Sequence, residues 1–126
     1  MSAEDFKGRK GLARMWKATG YSRDGIVAAW RNEAAFREEV LLAAVTIPLG
    51  LWLGQTGVER ALLVASIVLI LIVEILNSAI EAVVDLASPD RHELAKRAKD
   101  MGSAAVLFSL VNAAVVWGLL LGPRIF

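Results

Sequence analysis

Thirteen consecutive residues, ALLVASIVLILIV from Ala61 to Val73, carry no charge, and EILNSAIEAVVD, Glu74 to Asp85, follows at once with three carboxylates and an amide. A run of that kind must be covered by protein or by lipid. The chain has only 126 residues, 56% of them hydrophobic, with a mean hydropathy of +0.54, so lipid is the expected surrounding. Crossing a hydrocarbon core of roughly 30 Å takes about 20 apolar residues, and candidate spans fall at about 36–54, 61–86 and 101–122. The last, MGSAAVLFSLVNAAVVWGLLLG, holds no ionisable group. The first is the weakest: VLLAAVTIPLGLWL supplies fourteen largely apolar residues from Val40, and Pro48 withholds a backbone donor among them. A kink is expected there.

GQTGVE joins the first two spans and SPDRHELAKRAKD the second to the third, links short enough to make successive helices antiparallel neighbours. Arg91, Lys96, Arg97 and Lys99 lie in the second link, whereas Arg60 beside Glu59 is nearly all the charge of the first. The bias of basic residues toward the cytoplasm therefore places the N-terminus and the 87–100 loop inside. Eight of the fourteen Lys and Arg fall within residues 1–37, beside only four acids. In residues 4–31 they alternate with Phe6, Met15, Trp16, Ile26, Val27 and Trp30, which suits an amphipathic helix on an anionic leaflet, frayed at Gly8 and Gly11 and broken at Gly20. The start MSAEDFKGRKGLARMWK lacks the apolar core of a cleavable signal, so the hydrophobic segments are expected to remain in the mature protein. The expected class is all-α: one integral membrane domain over 1–126, with three transmembrane helices and an N-terminal surface helix.

At 100° per residue, Glu74, Asn77, Ser78, Glu81 and Asp85 fall in one sector about 100° wide, forming a polar stripe. With the outer membrane edge near Ala61 and a rise of about 1.5 Å per residue, Glu74 lies roughly 20 Å deep and Glu81 near 30 Å, at the cytoplasmic edge. An ionisable group at mid-membrane costs on the order of 2.5 kcal/mol or more to insert and is a functional candidate by default. Ser78 reads as an interhelical hydrogen-bonding group, and Asn77 fits either packing or chemistry. NEAAFREE, Asn32 to Glu39, opens the first span on the same side, bringing Glu33 to the depth of Glu81. Two such carboxylates suit a hard divalent cation and the phosphates it carries, or are simply solvated helix ends near Arg31 and Arg37.

HELAKRAKDMGS adds His92, Lys96, Lys99, Asp100 and Ser103. Its cations can clamp phosphate, and His92 can donate to a phosphate oxygen or stand solvated in a basic loop. The absence of cysteine removes disulfides, thiolate metal sites and cysteine nucleophiles together. Neither a GxxxxGK[ST] loop nor GxGxxG occurs, so a bound nucleotide is held without a familiar phosphate loop.

Taken together, KATGYS, NEAAFREE, VEILNSAIEAVVD and HELAKRAKDMGSAAV resemble the small bacterial integral-membrane diacylglycerol kinases, in one register from about Arg14 to the last span. The resemblance implies a homotrimer in the bacterial inner membrane, with its N-terminus cytoplasmic and its active sites at subunit boundaries. It implies transfer of the γ-phosphoryl group of MgATP to the primary hydroxyl of diacylglycerol, with diacylglycerol, ATP, Mg²⁺ and membrane lipids as partners and no nucleic acid. Glu74 then matches the catalytic base, and Glu33 and Glu81 match the metal-coordinating pair. Arg14, Tyr21, Asp90, Arg91, His92, Lys99 and Asp100 stand where the family touches ATP. Ala18, Arg23, Trp30, Arg37, Glu39 and Ser103 fall in the lipid-acceptor region, and Asn77 matches an active-site polar group. Arg91 stands where an aromatic is expected, and Pro48 and Asn112 are particular to this chain.

A related branch phosphorylates undecaprenol, although DMGSAA and Trp30 look more like the diacylglycerol branch. A small proton-coupled multidrug transporter also places a Glu in a compact membrane bundle, but that reading leaves Glu33, Glu81 and the basic loop without a task. A membrane scaffold without nucleotide binding is the third alternative.

Overall fold

The computed structural model describes residues 11–88, 90 and 92–126. They form four helices and no strand: α1 Gly11–Asn32, α2 Ala34–Leu53, α3 Gly57–Ala87 and α4 Glu93–Ile125. The first turns of the expected surface helix, 4–10, and Arg91 lie outside the described residues.

Three local devices set the helix boundaries. Glu33 is extended and separates α1 from α2; Arg37 then donates from Nη1 to the carbonyls of Trp30 at 2.7 Å and Arg31 at 3.4 Å, covering oxygens that the end of α1 leaves open. Thr56 starts α3, its hydroxyl accepting from the Glu59 amide at 3.1 Å. His92 starts α4, with Nδ1 accepting from the Leu94 amide at 3.1 Å.

Two expectations about helix continuity are corrected. α4 begins at Glu93, so most of the 87–100 loop is helical and forms its first turns. α1 also runs unbroken through Gly20. A single glycine destabilises a helix interior by only about 1 kcal/mol relative to alanine, and nothing else at that point competes with the helix. α2 likewise continues through Pro48.

α3 is the central helix, packing on α2 and α4, while α1 touches α2 and α3 through its C-terminal end, where Ala29 is buried. Lys99 meets Asp85 at one end of the α3–α4 pair and Arg124 meets Glu59 at the other, so these helices are antiparallel. The core is narrow: Ala43, Ile67, Ile70 and Ala113, with Ile47, Leu71 and Trp117 against them. Small residues at the crossings let the backbones approach, as at Gly50, where an added Cβ would come within 3.1 Å of Leu63 Cβ. Trp117 Nε1 donates across to the Leu63 carbonyl at 3.2 Å and Ser66 Oγ at 3.1 Å. At the far end, Arg124 donates to the Leu53 carbonyl at 2.9 Å and pairs with Glu59, tying α2, α3 and α4 together.

The outer faces are apolar and uncovered: Leu62, Leu69, Ile72 and Leu76 on α3, and Leu107, Phe108, Val111 and Leu119 on α4, are all exposed. α3 and α4 are each long and apolar enough to cross a membrane. α2 has 20 residues but carries Arg37, Glu38 and Glu39 in its opening turns.

Candidate active site

The polar stripe on α3 turns inward at Glu74 and Asn77, is half-buried at Ser78 and Glu81, and reaches solvent at Asp85. Glu74 is only 5% exposed, and Asn77 8%, within a helix whose other buried positions are Leu63, Ser66, Ile67 and Ile70. Across the α2–α3 contact the Glu39 carboxyl lies beside that of Glu74, and Glu39 Oε2 is buried without a hydrogen-bond partner among the described residues. Glu33 and Glu81 stand close enough to Glu74 for their charges to act on it. Glu74 with Glu39 beside it, and Glu81 and Glu33 farther along, thus give two levels of carboxylates from two helices and the α1–α2 junction; of the four, Glu74 is buried and the other three are half-buried.

Asn77 links the two levels. Its Nδ2 faces Glu81 Oε1 at 3.4 Å, while Oδ1 is buried without a partner among the described residues. Glu33 begins α2 without using its side chain as a cap, which leaves the carboxylate available. Among the described residues no group of three His, Cys, Asp or Glu is placed to hold a metal ion by itself. Glu33 and Glu81 are carboxylates of the kind that Mg²⁺ takes, one or two from protein with water and substrate phosphates completing its shell.

Beyond Glu81, where α3 ends and α4 begins, an open cavity of about 640 Å³ is lined by Ser88, Asp90, His92, Lys96, Lys99 and Asp100, among others. Four of the expected nucleotide-contacting residues therefore meet at one place. With its Nδ1 occupied as an acceptor, His92 keeps its ring proton on Nε2, a donor for a phosphate oxygen. Lys99 Nζ lies 2.6 Å from Asp85 Oδ1; this hydrogen bond first, and then the charges of Asp85 and Glu81, raise its pKa above the ordinary 10.5 against partial desolvation. Lys96 pairs with Asp100 at 2.6 Å, which raises its pKa as well. Lys99 is thus the cation between the cavity and the acidic stripe.

The model of the family described as prokaryotic diacylglycerol kinase matches residues 20–121. The chain belongs to that family. It is 54% identical over 121 residues to a protein named diacylglycerol kinase from Pseudomonas aeruginosa, covering 96% of this chain and 98% of the relative. Similarity to proteins of the same name from Escherichia coli K12, 51% over 111 residues, covers 88% of this chain and 91% of the relative. For Haemophilus influenzae the values are 46% over 108 residues, 86% and 92%. These are kinases, so a nucleotide phosphoryl donor is implied for this family member.

Not every expected site residue of this family member joins the cluster. Arg14, Ala18, Tyr21 and Arg23 are exposed along α1. Trp30 is partly exposed, with its carbonyl taken by Arg37, and Ser103 is exposed on α4. Asp85, at the exposed end of the stripe, is the partner of Lys99. Only the tertiary packing of α3 on α4 brings them together, since they are fourteen positions apart in separate helices. Gly102 had no signal of its own either, yet a Cβ there would fall on Asn77 Oδ1.

Proposed function

We propose that this protein transfers the γ-phosphoryl group of MgATP to the primary hydroxyl of diacylglycerol, giving phosphatidic acid at the cytoplasmic side of a bacterial inner membrane. The observation that carries this reading is the buried Glu74 with the unpaired Glu39 Oε2 beside it, about two turns of helix from the half-exposed Glu81. A lipid hydroxyl is a donor that reaches that depth, and the water-soluble nucleotide is met at the cavity by Lys99, His92, Asp90 and Asp100.

Phosphoryl transfer requires chiefly positioning and charge neutralisation. Glu74 accepts the proton of the attacking hydroxyl, and Glu39 orients that hydroxyl by accepting or sharing its hydrogen bond. Glu33 and Glu81 are the residues that would hold Mg²⁺, which when bound neutralises phosphate charge. Lys99 and the His92 Nε2 proton stabilise the charge that develops on the transferring group.

In this reading α2 is a third transmembrane helix, and α1 lies on the cytoplasmic leaflet with its N-terminus inside, the whole chain forming one domain. The exposed aromatic and basic residues of α1, Trp16, Tyr21, Arg14 and Arg23, face out of the single chain. A homotrimer with sites at its subunit boundaries gives them a role at a neighbouring site.

A competition assay with radiolabelled ATP and both lipids in mixed micelles tests the acceptor. Diacylglycerol is expected to take the label. Preferential labelling of undecaprenol would replace the proposed substrate, and labelling of neither would remove the lipid-kinase assignment.

A further inference from the structure

Asn77 is more than nine-tenths buried, and which end of its carboxamide faces which neighbour is fixed by chemistry. A carboxylate only accepts hydrogen bonds, so the end facing Glu81 Oε1 must be Nδ2. Oδ1 is thereby turned to the opposite side, toward α4, where it has no donor among the described residues. A buried carbonyl oxygen without a donor is unfavourable, so a specific feature of the packing must hold it there.

That feature is the missing side chain at Gly102. The residue is buried on α4, and Asn77 Oδ1 occupies the space a Cβ would need, with Asn77 Cγ 3.2 Å from the same point. Glycine is not there for backbone freedom, because position 102 is helical and no residue among those described has a positive φ. In a helix interior glycine is less favourable than alanine, so the local preference is set aside for space. The same turn of α4 carries Lys99, Asp100 and Ser103, which places the approach at the level of the site.

We propose that Gly102 is a positioning residue for the phosphoryl-transfer site: by admitting Asn77 Oδ1 against the α4 backbone it aims Nδ2 at Glu81 and fixes the orientation of that carboxylate. The proposal rests on the reading of Glu81 as a metal-holding residue. It adds a residue that touches neither substrate nor metal and acts through Asn77.

The test uses the full-length protein in detergent with Mn²⁺ as a spin probe and a non-hydrolysable ATP analogue, reading Mn²⁺ binding by electron paramagnetic resonance. Wild type is compared with Glu81→Gln, Gly102→Ala, Asn77→Ala and the Asn77→Ala/Gly102→Ala pair. Gly102→Ala is expected to weaken Mn²⁺ binding by about tenfold, the scale of losing a group that orients a ligand. In the Asn77→Ala background it is expected to add no further loss, because the amide it displaces is gone. Losses that add in the double variant overturn the role of Gly102. So does wild-type binding in Gly102→Ala when Glu81→Gln has lost it. Unchanged binding in Glu81→Gln instead removes the metal reading itself. Should Gly102→Ala fail to fold, recovery of folded protein in the double variant supports the contact with Asn77, and failure of both refutes it.

Discussion

Lys99 on α4 and Asp85 on α3 form a 2.6 Å ion pair at the rim of the cavity, with side chains 42% and 65% exposed. Solvent screens exposed pairs, which contribute little. Asp85→Asn is therefore expected to leave the fold intact and to change the apparent KM for ATP by no more than about fivefold. Lys99→Met, which removes the cation itself, is expected to raise it much more. Equal effects of the two variants in a nucleotide titration would show that Asp85 does more than accompany Lys99. The pair also has a defined pH dependence. Because Asp85 raises the pKa of Lys99 above 10.5, its contribution is fully present below the unfolded-state value and is lost as pH rises through the folded-state value. Activity changes between pH 6 and 9 must come from other groups.

Glu74→Gln keeps shape and burial while removing the base. Turnover is expected to fall by about 10²–10⁴-fold, the usual contribution of a positioned general base. Folding and binding of a non-hydrolysable ATP analogue should be preserved. Near wild-type turnover in micelle assays would take the proton-acceptor role away from Glu74.

Trp117→Phe removes a donor that serves both the Leu63 carbonyl and Ser66 Oγ. Hydrogen bonds between membrane helices average about 0.6 kcal/mol, so a loss of about 1 kcal/mol is expected for the pair. The phosphoryl-transfer rate at low temperature should be unchanged, since Trp117 lies on the side of the core away from Glu81. A lower unfolding midpoint with unaltered kcat is the confirming result, and an altered kcat contradicts it.

The stripe on α3 was legible because helical phase follows from spacing alone, and burial of Glu74 and Asn77 agrees with that phase. The meeting of Asp90, His92, Lys99 and Asp100 was legible through family resemblance, and the cavity assembles them. The start of α4 was not legible: apolar content begins near Met101, but the helix is started by an amide-to-imidazole hydrogen bond at His92. Continuity of α1 through Gly20 was missed because a weak propensity was read as a break. The contacts of Asp85 with Lys99 and of Gly102 with Asn77 lie between helices, and no periodicity within one helix encodes them.

Arg124→Ala strips a donor from the Leu53 carbonyl and the partner from Glu59, whose pKa is held below 4.5 chiefly by that arginine. The variant is expected to unfold at a lower temperature while retaining activity when folded. Intact thermal stability would show that the clamp is dispensable.

The clamp also makes the bundle mechanically asymmetric. Three helices are pinned at one end through Arg124, whereas at the other α3 and α4 are joined by the exposed pair of Lys99 and Asp85. α3 has 31 residues, a lever about 46 Å long at 1.5 Å per residue. A tilt of about 5° about the pinned end moves its free end by about 4 Å. In the proposed reading, the end held only by that exposed pair is the one at which lipid and nucleotide would meet.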